Sequence, residues 1–177
     1  MPSPDGRIDL RSDTVTTPTP AMRRAMADAE VGDDVFGEDP TVNRFQERAA
    51  ARLGMEAGLY VPSGTMANQI ALRTLGRPGT ALLCADRAHI YRVERDATVD
   101  SRLVVRSLPD AAGAFTAADV ERALDDASLL TIENTYAAGN GRPWRLDEAR
   151  AVCDVAVGRD LPVHCDGARL WNASVAL

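Results

Sequence analysis

From residue 58 onward, short apolar runs alternate with longer segments whose apolar positions recur at helical spacing. The apolar runs predict strands at 58–61, 80–84, 103–108, 129–133 and 161–165, and the segments between them predict helices at 64–75, 90–98, 117–125 and 146–157. Thr116, followed by Asp119 three residues on, resembles a capping box at the third of these helices. Valine-, isoleucine- and leucine-rich strands that alternate with helices predict an α/β fold, a mostly parallel sheet with helices flanking both faces. The order of the strands cannot be read from this pattern. Upstream, residues 1–18 form an irregular arm broken by Pro2, Pro4 and Pro18, and 19–177 is expected to be one domain. Helices are predicted at 20–27 and 40–53, each with proline in its first turn. In the second of them Val42, Phe45 and Ala49 have the spacing of one buried face. The chain closes on the apolar segment 170–177 without a capping glycine or polar tail, which reads as truncation of a longer domain at Leu177.

Composition narrows the function classes. A net charge of -6 disfavours nucleic acid, whose phosphates call for a basic surface. No apolar stretch approaches the roughly 20 residues of a membrane span. Residues 1–7 lack the apolar segment of a secretory leader, so a cytoplasmic protein is expected. Cys84, Cys153 and Cys165 show no CxxC spacing and read as buried structural thiols. With only His89 and His164 to join them, no metal site is expected.

The candidate chemistry collects where strands end, the edge at which open α/β sheets bind ligands. Pro62-Ser63-Gly64-Thr65-Met66-Ala67-Asn68 opens a helix with hydroxyls and backbone N–H groups, a site for a phosphate or simply a capped glycine turn. It lacks the Gly-Lys-Ser/Thr ending of a Walker loop. His89 follows the next strand and could stack on an aromatic ligand or move a proton, or lie idle at the surface. Glu94, five residues on, is a possible carboxylate partner for it. Glu133-Asn134-Thr135-Tyr136 puts polar groups at the end of the fourth strand. Asp166-Gly167-Ala168-Arg169 ends the fifth with an anion and, three residues later, a guanidinium. Asp166 could cap the following helix, or pair with a protonated ring nitrogen such as that of pyridoxal phosphate. Four polar sites in chain order at one sheet edge favour a ligand. All 20 basic residues are arginine, so no side-chain amine is present to hold such a cofactor as a Schiff base.

These residues also carry a resemblance. Ile8-Asp9-Leu10-Arg11-Ser12-Asp13-Thr14-Val15-Thr16, then Val31-Gly32-Asp33-Asp34-Val35-Phe36-Gly37-Glu38-Asp39-Pro40-Thr41-Val42-Asn43, open it. Ser63 to Asn68, Ala88-His89, Glu133-Asn134-Thr135 and His164 to Leu170 complete it. Over nearly its whole length the chain resembles the low-specificity threonine aldolases, within the group of β-eliminating lyases and threonine aldolases that use pyridoxal phosphate. The resemblance implies the large-domain fold of aspartate-aminotransferase-like enzymes. It implies that Gly64 and Thr65, with Ser63 beside them, hold the cofactor phosphate, and that His89 stacks on the ring and assists proton transfer. Asp166 would pair with the ring nitrogen. Arg169 would reach the phenolic oxygen or the substrate carboxylate, helped by Ser12, and Tyr136 would sit by the hydroxyl end of the substrate. The implied reaction is retro-aldol cleavage of a β-hydroxy-α-amino acid to glycine and an aldehyde, in a homodimer or homotetramer. Three features depart from the family pattern: the lysine expected beyond Leu177, Tyr136 in place of a frequent histidine, and Arg95-Asp96 and Phe36 in place of a small pair and a tyrosine. Two other readings stand beside this one: a different β-eliminating amino-acid lyase, and a non-catalytic chain that binds a phosphate ligand or docks on an intact homologue.

Overall fold

A computed structural model of the chain describes residues 6, 8–110 and 114–177; the side chains of 95–97 lie outside the description, so Arg95-Asp96 is not placed, nor is most of the 1–7 segment read for a leader. The chain divides into two compact units, Met1–Tyr60 and Val61–Leu177.

Helices α1 (Pro20–Ala27) and α2 (Pro40–Leu53) of the first unit begin and end where the sequence places them. Thr19 caps α1 by accepting from the Met22 N–H at 3.2 Å. Asp39 caps α2 by accepting from the N–H groups of Thr41 and Val42, both at 2.9 Å. Proline follows each cap, where its missing N–H costs nothing. The other Asp39 oxygen takes the Gly32 N–H at 3.0 Å, which closes the 32–39 loop on itself. A side chain at Gly32 would meet the Glu38 carbonyl at 2.2 Å, so this approach requires glycine. Two expectations fail in this unit. Phe45 is 55% exposed rather than part of a buried face; Tyr60 meets it edge-on at 5.8 Å and covers only part of the ring. Residues 58–61 form no strand: the Tyr60 N–H bonds the Gln46 side chain of α2 at 2.8 Å instead of a neighbouring strand.

The second unit holds the sheet. Its strands β1 (Ala81–Ala85), β2 (Val104–Leu108), β3 (Ala127–Glu133) and β4 (Val163–Asp166) pair in the order β2-β1-β3-β4, every pair parallel. The five residues of β1 and the last six of β3 are all buried, so both faces of the central strands are covered. Around them run α3 (Gly64–Leu75), α4 (His89–Arg92), α5 (Arg95–Ser101), α6 (Ala117–Ala123), α7 (Leu146–Val157) and α8 (Leu170–Ala176). Leu72, Leu82, Leu83, Val120, Leu129 and Leu130, none of them measurably exposed, form the centre of the core. The capping box at Thr116 and Asp119 is present. The helix expected over 90–98 is broken at Val93 and Glu94, where the Glu94 backbone leaves helical angles and its carboxylate is buried. Cys84 is buried and its thiol is pushed up to about 12, chiefly by that burial. Cys165, on the edge strand β4, is exposed, contrary to its reading as a buried thiol. No helix among the described residues is long and apolar enough to cross a membrane.

Candidate active site

Because the strands of the second unit are parallel, the residues following β1, β3 and β4 share one edge of the sheet. The register sets Asp166 at the end of β4 directly beside Glu133 at the end of β3. Asp166 Oδ1 accepts from the Ala168 N–H at 3.2 Å, shaping the turn, while Oδ2 accepts from the Asn68 side-chain amide at 3.0 Å. It does not cap α8, whose first residue is preceded by Arg169.

His89 opens α4 immediately after β1. Its backbone N–H donates to Glu133 Oε2 at 2.8 Å, and Glu133 Oε1 accepts from the Ala137 N–H at 2.9 Å. The buried Glu133 carboxylate thus ties the loops after β1 and β3 together. The half-exposed His89 ring meets Glu94 Oε1 through Nδ1 at 2.9 Å. Glu94 becomes available for this by leaving the helix. Polar atoms of His89, Glu94 and Asp166 lie within 4.8 Å of one another.

Ser63 caps α3, its Oγ accepting from the Met66 N–H at 3.1 Å. The N–H groups of Gly64 and Thr65 in the first turn have no acceptor within the helix. Both residues are exposed, and the space beside Gly64 where a side chain would project is open. Asn68, on the next turn of the same helix, is buried and reaches Asp166, so α3 links the exposed turn to the anion.

Tyr136 is 2% exposed and its hydroxyl bonds Asp110, which also accepts from Arg87 Nε at 3.0 Å. Burial raises the Asp110 carboxyl, but the bonds from Tyr136 and Arg87 outweigh it and hold the group below the usual carboxylate range. Burial first, then the bond to Asp110, pushes the Tyr136 phenol above its ordinary value. Tyr136, Phe115, Ile90 and Asp166 line a cavity of about 10 Å³, room for roughly one water and too little for an aromatic ring. Arg169 is half-buried and its backbone N–H reaches the Asn134 carbonyl at 3.3 Å. Ser12 belongs to the first unit, where it is exposed and its Oγ accepts from the Thr14 N–H at 3.3 Å.

The structure therefore brings together His89, Asp166 and, through α3, the turn carrying Ser63, Gly64 and Thr65. Asn68 and Glu133, which tie these groups together, enter the sequence analysis only as members of the 62–68 and 133–136 motifs, without roles of their own, and Asp110, the partner of Tyr136 and Arg87, is not singled out there. One signal for Asn68 is present, a polar residue four positions before the fully buried Leu72 on the apolar stripe of α3. The donors and acceptors suit a ligand with a protonated ring nitrogen and an anionic group. Glu94 Oε2 is also buried with no hydrogen-bond partner among the described residues, an acceptor left over for a donor.

The profile of the beta-eliminating lyases matches residues 9–177. Low-specificity L-threonine aldolase 1 of Arabidopsis thaliana is 37% identical over 96% of this chain and 51% of its own length. Low specificity L-threonine aldolase of Escherichia coli K12 is 39% identical over 96% of this chain and 53% of its own. The crystal structure of a putative L-allo-threonine aldolase from Listeria monocytogenes superposes with a TM-score of 0.72 and 25% identity, over 81% of this chain and 41% of that one. The chain spans about half the length of the curated relatives it matches.

Proposed function

The chain belongs to the beta-eliminating lyase family, and from that premise we propose that it carries the cofactor-binding part of a pyridoxal-phosphate-dependent threonine aldolase. The substrates are L-threonine and L-allo-threonine, and the products glycine and acetaldehyde. The observation that carries the proposal is the convergence of Asp166, His89 and the exposed α3 turn at one sheet edge, linked by the Asn68 amide.

In this reading Ser63, Gly64 and Thr65 hold the phosphate with two hydroxyls and the unsatisfied N–H groups of a helix N-terminus. Asp166, held from both oxygens, presents an anion to a ring N–H. When bound, the cofactor supplies an electron sink for the carbanion left when the Cα–Cβ bond breaks. His89 would stack on the ring and move a proton, with its ring held at Nδ1 by Glu94 and its backbone N–H by Glu133. Arg169 recognises the substrate carboxylate. Tyr136 is buried with its hydroxyl already committed to Asp110, so it offers the substrate no free hydroxyl. The 177 residues contain no lysine, so none of them contributes a side-chain amine to the chemistry. We place the protein in the cytoplasm as a homodimer or homotetramer; the many exposed apolar side chains, among them Leu10, Val35 and Val175, support assembly.

The test is to supply the purified full-length protein with L-allo-threonine and pyridoxal phosphate. Equal yields of acetaldehyde and glycine are expected. A keto acid and ammonia in their place would assign a different β-eliminating lyase, and no turnover of either kind would remove the enzymatic reading.

A further inference from the structure

We propose that Asn68 is a positioning residue whose one amide holds Glu94, Asp166 and His164 in a single hydrogen-bond chain, and so keeps the Glu94 carboxylate where it meets His89 Nδ1 and leaves the Nε2 lone pair free. The inference rests on the reading above only in assigning His89 and Asp166 to the cofactor.

Asn68 is 4% exposed and joins three elements far apart in sequence. Its Nδ2 donates to Glu94 Oε1 at 3.1 Å and to Asp166 Oδ2 at 3.0 Å, and its Oδ1 meets His164 Nε2 at 2.8 Å. The partners fix the orientation of the amide. Turned over, Oδ1 would face two carboxylate oxygens with no proton to share, and Nδ2 would face the His164 ring. With Oδ1 toward His164, that ring must donate from Nε2. Burial holds the His164 imidazole below its ordinary value, which favours the neutral ring, and the contact with Asn68 Oδ1 puts its proton on Nε2. At the other end, Glu94 Oε1 receives the amide and also His89 Nδ1 at 2.9 Å. A carboxylate can only accept, so the His89 proton lies on Nδ1, which leaves Nε2 as the nitrogen able to take a proton; the Asn68 amide contributes by holding that oxygen in reach of the ring.

No other side chain of this size does the same work. An aspartate has no donor for the two carboxylates, a serine has one, and a leucine has none. The amide also keeps two acidic side chains side by side, each bonded to its own N–H. The turn that would hold a phosphate is thus tied to Asp166 and, through Glu94, to His89, because Asn68 sits one helical turn from Thr65 on α3.

The chain has two histidines, so nitrogen NMR of the imidazole rings resolves the whole chain of bonds. In the protein above the histidine titration range, at about pH 8, His89 is expected as the Nδ1–H tautomer and His164 as the Nε2–H tautomer. Asn68→Leu is expected to remove both preferences and to weaken pyridoxal phosphate binding about tenfold, the loss of a hydrogen bond to a charged group. A wild-type His89 in the Nε2–H form overturns the proposal, whether or not the variant folds. So does a folded Asn68→Leu protein with both tautomers unchanged. The expected tautomers in a wild-type protein that takes up no pyridoxal phosphate would support the positioning role and remove the cofactor reading. Equal uptake by wild type and variant with unchanged tautomers would do the reverse.

Discussion

Helix α2 in the first unit and helix α7 in the second are 14 and 12 residues long, yet they are held by different means. Asp39 caps α2 through two backbone N–H groups and a glycine in the left-handed region ends it, while Ala50 is its one buried residue. Helix α7 has only the side-chain reach of Glu148 back to the Arg145 N–H at its start, but Val152 and Ala156 are inserted in the core with α6 alongside. The same contrast runs through both units. Among the described residues, Ala50 is the only buried apolar residue of the first unit, and the second unit holds the continuous core. Local hydrogen bonds specify where a helix begins and ends; apolar burial specifies what it packs against.

The largest expected effect lies in the second unit. Leu130→Ala on β3 removes a side chain with no exposed surface, and about 2–5 kcal/mol of unfolding free energy is expected to go with it in a urea titration. The first unit is expected to respond instead to its caps. Asp39→Ala deletes three hydrogen bonds, to Gly32, Thr41 and Val42, and about 1–2 kcal/mol of local stability, seen as faster amide exchange at the start of α2. Amides of β1 and β3 should not change. Equal loss of protection in both units would break the contrast.

Acid is expected to reach the second unit first. Burial lowers the His164 value below 6.5, so the unfolded chain takes up its proton before the folded one does. Stability contributed by neutral His164 is complete above 6.5 and declines as pH falls from there toward the folded value. Asp39 behaves at a lower pH. The N–H groups of Val42 and then Gly32 hold its carboxyl below 3.8, so its contribution is full above that value and lost as pH falls below it. Amide exchange followed from pH 7 downward should show the surroundings of β4 loosening before the start of α2, and His164→Gln should abolish the first step. The smallest effect is expected at Phe45, where an exposed ring makes one edge-on contact: Phe45→Ala should change unfolding free energy by about 0.5 kcal/mol.

What the sequence shows follows the same division. The starts of α1, α2 and α3 are legible because Thr19, Asp39 and Ser63 act within three residues of themselves. The parallel sheet is legible because both faces of its strands demand apolar residues. The strand expected at 58–61 fails because four apolar-leaning residues do not say whether a neighbour offers a ladder or a glutamine side chain. The break at Glu94 is missed because a partner of its buried carboxylate, Asn68, lies 26 residues away. In the site, His89 and Asp166 stand out by position after apolar runs. The amide that joins them bridges 98 residues to Asp166, and no local pattern encodes such a contact. Tyr136 is noticed as a polar strand end, whereas its commitment to Asp110 depends on a partner 26 residues earlier.

The edge carrying Asp166 and the α3 turn is proposed as a pyridoxal phosphate site. An absorbance titration of the protein with pyridoxal phosphate, wild type beside Asp166→Asn, tests it most directly. Saturable binding by the wild type, weakened about tenfold or more in the variant of equal shape, is the expected result. No saturable binding by the wild type, or equal binding by both proteins, would contradict it.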